Sequence, residues 1–378
     1  MEYIYLDYNA STPIAPEVAE AMRPFLSEHY GNPSSRHWAG APAKQALERA
    51  RGQVASLLGC SPQEIIFTSG GTEANNHAIK GSFFSRREKG NHIITTQVEH
   101  PAVLQPCRFL ETLGAEVTRL PVDGTGMVNP EDVRKAITPR TILVSVMHAN
   151  NEVGTIQPIA EISRITRERG VLFHTDAAQS VGKIPGKVAE LGVDLLSVAG
   201  HKACAPKGVG ALYIRSSVQL EPLMHGAGHE SGRRAGTENV LLNVALGVAC
   251  ELAAADLESR RLRLMQLRNY FYAGLQDLFG AELHLNGHPT ERLPNTLNVS
   301  LSGRIGSEVL EALEGVAAST GSACHSGRRE LSPVLQAMRV PENVGLGAVR
   351  FSLGLDTTTE ELDHVLGLFR SRVLPPKK

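Results

Sequence analysis

The chain has 378 residues, 42% hydrophobic and 20% charged, and that length exceeds one comfortable core of about 250–300 residues, so a large and a smaller domain are expected. Thirty-eight basic against 39 acidic residues leave a net charge of −1, which gives no field to draw in nucleic acid or anionic lipid; a small-molecule substrate is expected. Five scattered cysteines without a C-x-x-C pair argue against a disulfide framework or a zinc site, and residues 1–8 lack a signal peptide's basic start and apolar run, so a reducing cytoplasm is the expected setting.

From about residue 16 to 255 short apolar runs alternate with helical patterns. Residues 65–68, 92–95, 142–146, 171–174 and 195–198 are brief, β-branched and continuously hydrophobic, which predicts buried, mainly parallel strands joined by crossover helices. In such a sheet ligands sit beyond the carboxyl ends of the strands, and the residues that end these runs are unusually polar. The longest apolar stretch, 241–255, is interrupted by Asn243 and Glu251 and falls short of the ~20 residues of a membrane span, so it reads as a buried helix. After Leu257 the leucines and Phe271 recur at helical spacing, with Arg260, Arg261 and Arg263 expected on a solvated face. Strands at 297–301 and 349–353, with helices from Ser307 and Thr359, complete a small α+β domain that ends in a frayed 375–378.

Three strand ends carry chemistry. The first runs into Ser69-Gly70-Gly71-Thr72 and then a helix; this is either an ordinary capped turn or a cradle in which free helix amides attract a phosphate. The next ends at Thr175-Asp176, an acid that either satisfies a turn or pairs with a cationic ring nitrogen. The third ends at His201-Lys202, a surface lysine or one desolvated enough to act as a neutral amine. Their order within one α/β domain favours the ligand readings.

Thr68-Ser69-Gly70-Gly71-Thr72-Glu73, Val98-Glu99-His100, His148-Ala149-Asn150-Asn151-Glu152-Val153-Gly154, His174-Thr175-Asp176-Ala177-Ala178-Gln179 and Gly200-His201-Lys202 together resemble the group I, NifS/IscS-like cysteine desulfurases of the class V aminotransferase family. The resemblance runs from Asp7-Tyr8-Asn9-Ala10 to Arg350. It implies the fold type I of pyridoxal-phosphate-dependent transferases: a large domain (16–256) on a seven-stranded, mainly parallel sheet, a small α+β domain (257–378), and residues 1–15 packed on the small domain. It also implies that Lys202 forms the Schiff base, that His100 stacks on the ring and shuttles protons, and that Asp176 pairs with the pyridine nitrogen. Asn150 and Gln179 would lie near the ring hydroxyl, with Gly71, Thr72 and His201 at the phosphate. Thr237, in Gly236-Thr237-Glu238-Asn239, would add a phosphate contact from the second subunit of a homodimer. Asn32 and Arg350, with Asn150, would hold the carboxylate of L-cysteine, a task that suits a bidentate arginine. No metal is implied.

Ser319-Thr320-Gly321-Ser322-Ala323-Cys324-His325-Ser326-Gly327-Arg328-Arg329 is small, polar and glycine-bearing, which predicts a mobile loop. It resembles the loop that carries the sulfur-accepting cysteine of the same family, which makes Cys324 the expected persulfide site and implies a sulfur-acceptor protein. A free thiol near pKa 8.5 needs about 2 kcal/mol to be brought near 7, within reach of His325, Arg328, Arg329 or His100. The chain departs from the family at Cys204-Ala205, where Tyr-Gly is usual, and at Ala199, where many relatives have a phosphate-binding serine. A selenocysteine lyase, another class V aminotransferase or epimerase, and a non-catalytic sulfur carrier are the alternative readings.

Overall fold

The computed structural model describes residues 3–320 and 331–374. In chain order its strands are β1 (Ile4–Tyr5), β2 (Ile65–Thr68), β3 (His92–Thr96), β4 (Glu116–Leu120), β5 (Thr141–Ser145), β6 (Leu172–Asp176), β7 (Leu195–Ala199), β8 (Gly210–Ile214), β9 (Leu283–Asn286), β10 (Thr296–Leu301), β11 (Val316–Ala317) and β12 (Ala348–Ser352). Seven of them form one sheet in the order β2-β8-β7-β6-β5-β3-β4. Neighbours from β7 to β4 pair in parallel, while β8 runs antiparallel to both β7 and β2. Two reversals cancel, so β2 again points the way β6 and β7 point. Its end at Thr68 therefore lies on the same sheet edge as Asp176 and Ala199, although 65–68 has no parallel partner of the kind the sequence predicts.

Every residue of β5, β6 and β7 is buried, which requires apolar cover on both faces. Alternate residues supply it: Ile93, Leu143, Leu172 and Leu195 pack with Ala78, Phe83 and Leu110 of the helices Gly71–Ser85 and Pro101–Glu111. Ile94, Val144, Phe173 and Leu196 belong to a second cluster with Leu47 and Val54 of Gly40–Leu58 and Leu246 and Ala249 of Val240–Ala255. Among the described residues no single helix is long and apolar enough to cross a membrane.

A three-stranded antiparallel sheet, β12-β10-β9, packs with the helices Leu257–Phe279 and Thr359–Leu368 around Phe271, Phe351 and Phe369. Ile4 and Leu6 are buried in the same cluster, and β1 pairs in parallel with β11. Arg260, Arg261 and Arg263 of the long helix are exposed or partly exposed, as expected, and each has a partner. Arg261 pairs with Glu258, but Arg263 donates to the carbonyls of Leu355 and Thr357, which ties the helix to the turn after β12. Turn carbonyls outside a strand ladder need donors, and a long guanidinium stem reaches them.

Gly210 of β8 lies against the turn after β2. A Cβ there would sit 2.4 Å from the Val198 carbonyl oxygen and 2.7 Å from Gly70 Cα, both backbone atoms that cannot swing aside. Gly210→Ala is expected to lower stability by about 1–3 kcal/mol, read as a lower urea midpoint, through overpacking; an unchanged midpoint would show that the two strands can part.

Candidate active site

A cavity of about 290 Å³ opens at the carboxyl edge of the large sheet. β2 delivers Gly70 at φ 149°, a conformation that favours glycine, and the helix Gly71–Ser85 starts at once. The opening amides of a helix lack intrahelical acceptors, so Gly71 and Thr72 offer an anion site. The turn is braced from behind: Glu73 accepts from the Ser69 amide at 2.8 Å and pairs with Arg234 at 2.9 Å. Opposite, His201 Nδ1 is out of solvent with no hydrogen-bond partner, a donor or acceptor awaiting a ligand.

Asp176 ends β6 and is buried, one oxygen receiving Asn75 Nδ2 at 2.6 Å and the other the Ala178 amide at 2.9 Å. Lys202 follows β7; its Nζ donates to the carbonyls of Asn9 and Ala10 at 2.6 and 2.7 Å. Burial, helped by the Arg350 cation, pushes this amine down to about 8. His100 caps the helix Pro101–Glu111 by accepting the Ala102 amide at Nδ1, 3.1 Å away, so the proton of its neutral ring sits on Nε2. Burial, helped by the Lys202 cation, pushes its pKa down despite the opposing pull of Asp176, which favours that neutral form.

Arg350, on β12, is 5% exposed. One Nη pairs with Asp7 at 2.7 Å, the other donates to the Asn151 carbonyl at 2.9 Å, and Nε is buried without a partner. The cavity thus joins an anion cradle, a carboxylate, a partly neutral amine, an imidazole and an incompletely used guanidinium. That set suits a ligand with a phosphate, a cationic ring atom and an aldehyde, together with an amino acid carboxylate.

Lys202, His100, Gly71, Thr72, Asp176, Gln179, His201 and Arg350 all line this cavity, as expected from sequence. Asn150 does not. Its side chain is consumed by the turn it sits in, accepting from the amides of Glu152 and Val153 and donating to the Val98 carbonyl, and Asn151 lines the cavity in its place. Asn32 is exposed and accepts the Ser34 amide at 2.9 Å, a local turn bond outside the cavity. Thr237 is exposed and away from the cavity of its own chain. Cys324, His325, Arg328 and Arg329 lie outside the described residues.

Several contributors escaped sequence reasoning. Asn9 and Asn75 orient Lys202 and Asp176, and an asparagine inside a helix or a turn carries no chemical signature of its own. Glu99 is fully enclosed, accepting from the Met147 amide and the Thr96 hydroxyl, and burial pushes its carboxyl up to about 8. Lys183, four residues beyond Gln179 in the turns after β6, donates to it at 2.9 Å; burial and the Lys202 cation push its amine down to about 7.

Residues 4–365 match the family model described as aminotransferase class-V. The chain is 52% identical over 365 residues to a cysteine desulfurase IscS from Dictyoglomus turgidum, covering 96% of this chain and 92% of that one. It superposes on the solved structure of a NifS-like protein with a TM-score of 0.92 and 39% identity, covering 98% and 99% of the two chains. A structure of SspA in complex with cysteine matches with a TM-score of 0.82 and 38% identity over 93% and 98% of the chains.

Only a neutral amine reacts with an acylating reagent, so labelling of Lys202 in the ligand-free protein should accelerate as pH rises through its folded value. The expected midpoint, mapped by peptide mass spectrometry, is near pH 8 rather than the ordinary 10.5. A midpoint of about 10 would show that burial does not act on this amine.

Proposed function

We propose that this chain, which belongs to the class V aminotransferase family and is a cysteine desulfurase, takes sulfur from L-cysteine with pyridoxal phosphate held at Lys202 and receives it on Cys324. The observation that carries this reading is the convergence of Lys202, Asp176, His201 and the opening turn of Gly71–Ser85 on one cavity. Gly71, Thr72 and the orphaned His201 Nδ1 fit the phosphate, Asp176 fits the ring nitrogen, and Lys202 fits the aldehyde. Ala199 offers no hydroxyl at the phosphate end, which leaves Thr72 and His201 the larger share, with Thr237 of a second subunit proposed to complete it. Pyridoxal phosphate, when bound, supplies an aldehyde that captures the substrate amine and a ring that withdraws electrons from its α-carbon.

The protein's own groups then have defined tasks. Arg350, braced by Asp7, offers its free Nε edge to the cysteine carboxylate. An amine with a pKa of about 8 is neutral in roughly one molecule in ten at pH 7, against about one in three thousand for an unperturbed lysine, so Lys202 is prepared to accept the α-proton. His100, neutral with its proton on Nε2, has that proton to give on the cavity side. The Cys324 thiolate attacks the substrate sulfur: an S–S bond forms as the Cβ–S bond breaks, the carbon skeleton takes up a proton and leaves as alanine, and Cys324 keeps a persulfide. A sulfur-acceptor protein, a homodimer and a reducing, cytoplasmic setting complete the proposal.

Cys324→Ala is expected to keep the visible absorbance of bound cofactor while losing alanine and sulfide formation from cysteine; undiminished turnover by that variant would refute the role of Cys324. Arg350→Gln removes a charge-assisted contact worth about 2–3 kcal/mol and should raise KM for cysteine by roughly 30- to 150-fold in steady-state assays.

A further inference from the structure

The half-buried Lys183 takes part in a closed ring of hydrogen bonds behind the cavity. Its Nζ donates to Gln179 Oε1 at 2.9 Å and to Asn9 Oδ1 at 3.3 Å. Gln179 in turn donates Nε2 to the Asn9 carbonyl at 2.9 Å, and that same carbonyl receives Lys202 Nζ at 2.6 Å. In its charged form the Lys183 amine has protons to give and nothing to accept with, so the amide atom of Gln179 that faces that form is the oxygen. Lys183 therefore decides which way the Gln179 amide lies, and this leaves Nε2 directed at the Asn9 carbonyl. The other bonds of Asn9 fix its amide and its side chain: its N–H donates to Ser352 Oγ at 2.9 Å, Asn295 Nδ2 donates to Oδ1 at 3.1 Å, and Asn9 Nδ2 donates to Thr296 Oγ1 at 2.8 Å and the Asn151 carbonyl at 3.2 Å, while the carbonyl receives Gln179 and Lys202.

We propose that Lys183 is a positioning residue for Lys202: by holding Gln179 and Asn9 it fixes the main-chain carbonyl against which the Lys202 amine rests. The inference rests on Lys202 being the reacting amine. Without Lys183 the oxygens Gln179 Oε1 and Asn9 Oδ1 lose the donor they share and are left as two neighbouring acceptors that repel. The carbonyl then shifts and the amine loses its fixed rest position. Substrate carboxylate recognition at Arg350 changes less, because Arg350 donates to Asp7, outside this ring, and shares only the Asn151 carbonyl with Asn9.

The test uses the full chain stripped of cofactor. Pyridoxal phosphate is added, capture is followed by visible absorbance, and the modified lysine is identified after borohydride reduction. Lys183→Met is expected to slow capture at Lys202 about tenfold, and in the loaded enzyme to lower kcat about tenfold with KM for cysteine within about twofold. Lys183→Gln, which keeps a donor but no charge, should stay within about threefold of the parent on both measures. Gln179→Leu removes the receiving oxygen without touching the lysine, and the double variant Lys183→Met/Gln179→Leu should be no slower than the worse single one. Lys183→Met capturing within twofold of the parent, Lys183→Gln as slow as Lys183→Met, or additive losses in the double variant would each overturn the inference. If Lys183→Met does not fold, Gln179→Leu capturing as fast as the parent overturns it alone. A parent protein that captures no cofactor at Lys202 would instead sink the functional reading beneath it.

Discussion

A lysine amine placed at the end of a buried strand, and bonded to two main-chain carbonyls instead of a carboxylate, is the constraint around which this molecule is arranged. A carboxylate partner would hold the amine charged, while neutral carbonyls in a half-dry site let it give up its proton near neutral pH. The sheet supplies the dryness, because β5 to β7 are covered on both faces. The carbonyls have to come from elsewhere, and they come from Asn9 and Ala10, at the far end of the chain from the small domain's last strands. That demand explains why the segment after β1 crosses from the small-domain core to the cavity.

Much of the site was legible because its chemistry is bound to strand ends. Asp176 and Lys202 follow apolar runs that read as buried strands, and Gly70-Gly71 precedes a helix, so local pattern put them at the sheet's edge, while the resemblance of the motifs gave them their roles. β8 was harder. Gly210-Ala211 opens it with two small residues, which conceals its apolar character, and a strand missed there changes the pairing of β2 from parallel to antiparallel. β4, with Glu116 and Arg119 on a sheet edge, has only one fully buried residue and so lacks a hydrophobic run.

The choice between Asn150 and Asn151 is of a different kind. Two identical amides stand side by side, and which one serves the turn depends on where the free amides of Glu152 and Val153 point. Local composition cannot carry that information. The same holds for Arg263, whose two carbonyl acceptors lie more than 90 residues away. Glu152 shows how such long-range bonds accumulate around the site: buried and pushed up to about 7, it accepts the Ser332 hydroxyl, so the turn after β5 and the residues that follow the Cys324 segment share one hydrogen bond.

The pairing of β1 with β11, and of Asp7 with Arg350, bears on how the enzyme is made. Residues 4–10 leave the ribosome early, but their partners at 316–317 and 350 are synthesised more than 300 residues later. The large sheet between them can close while translation continues. Lys202 is then already on its strand and Gln179 and Lys183 can hold the Asn9 carbonyl, yet the Asp7 carboxylate and the Asn9 amide lack their partners until Arg350 and Ser352 of the last small-domain strand arrive. The Arg350 guanidinium is assembled last, so an incomplete chain on the ribosome carries the reactive amine without the group that would hold its substrate.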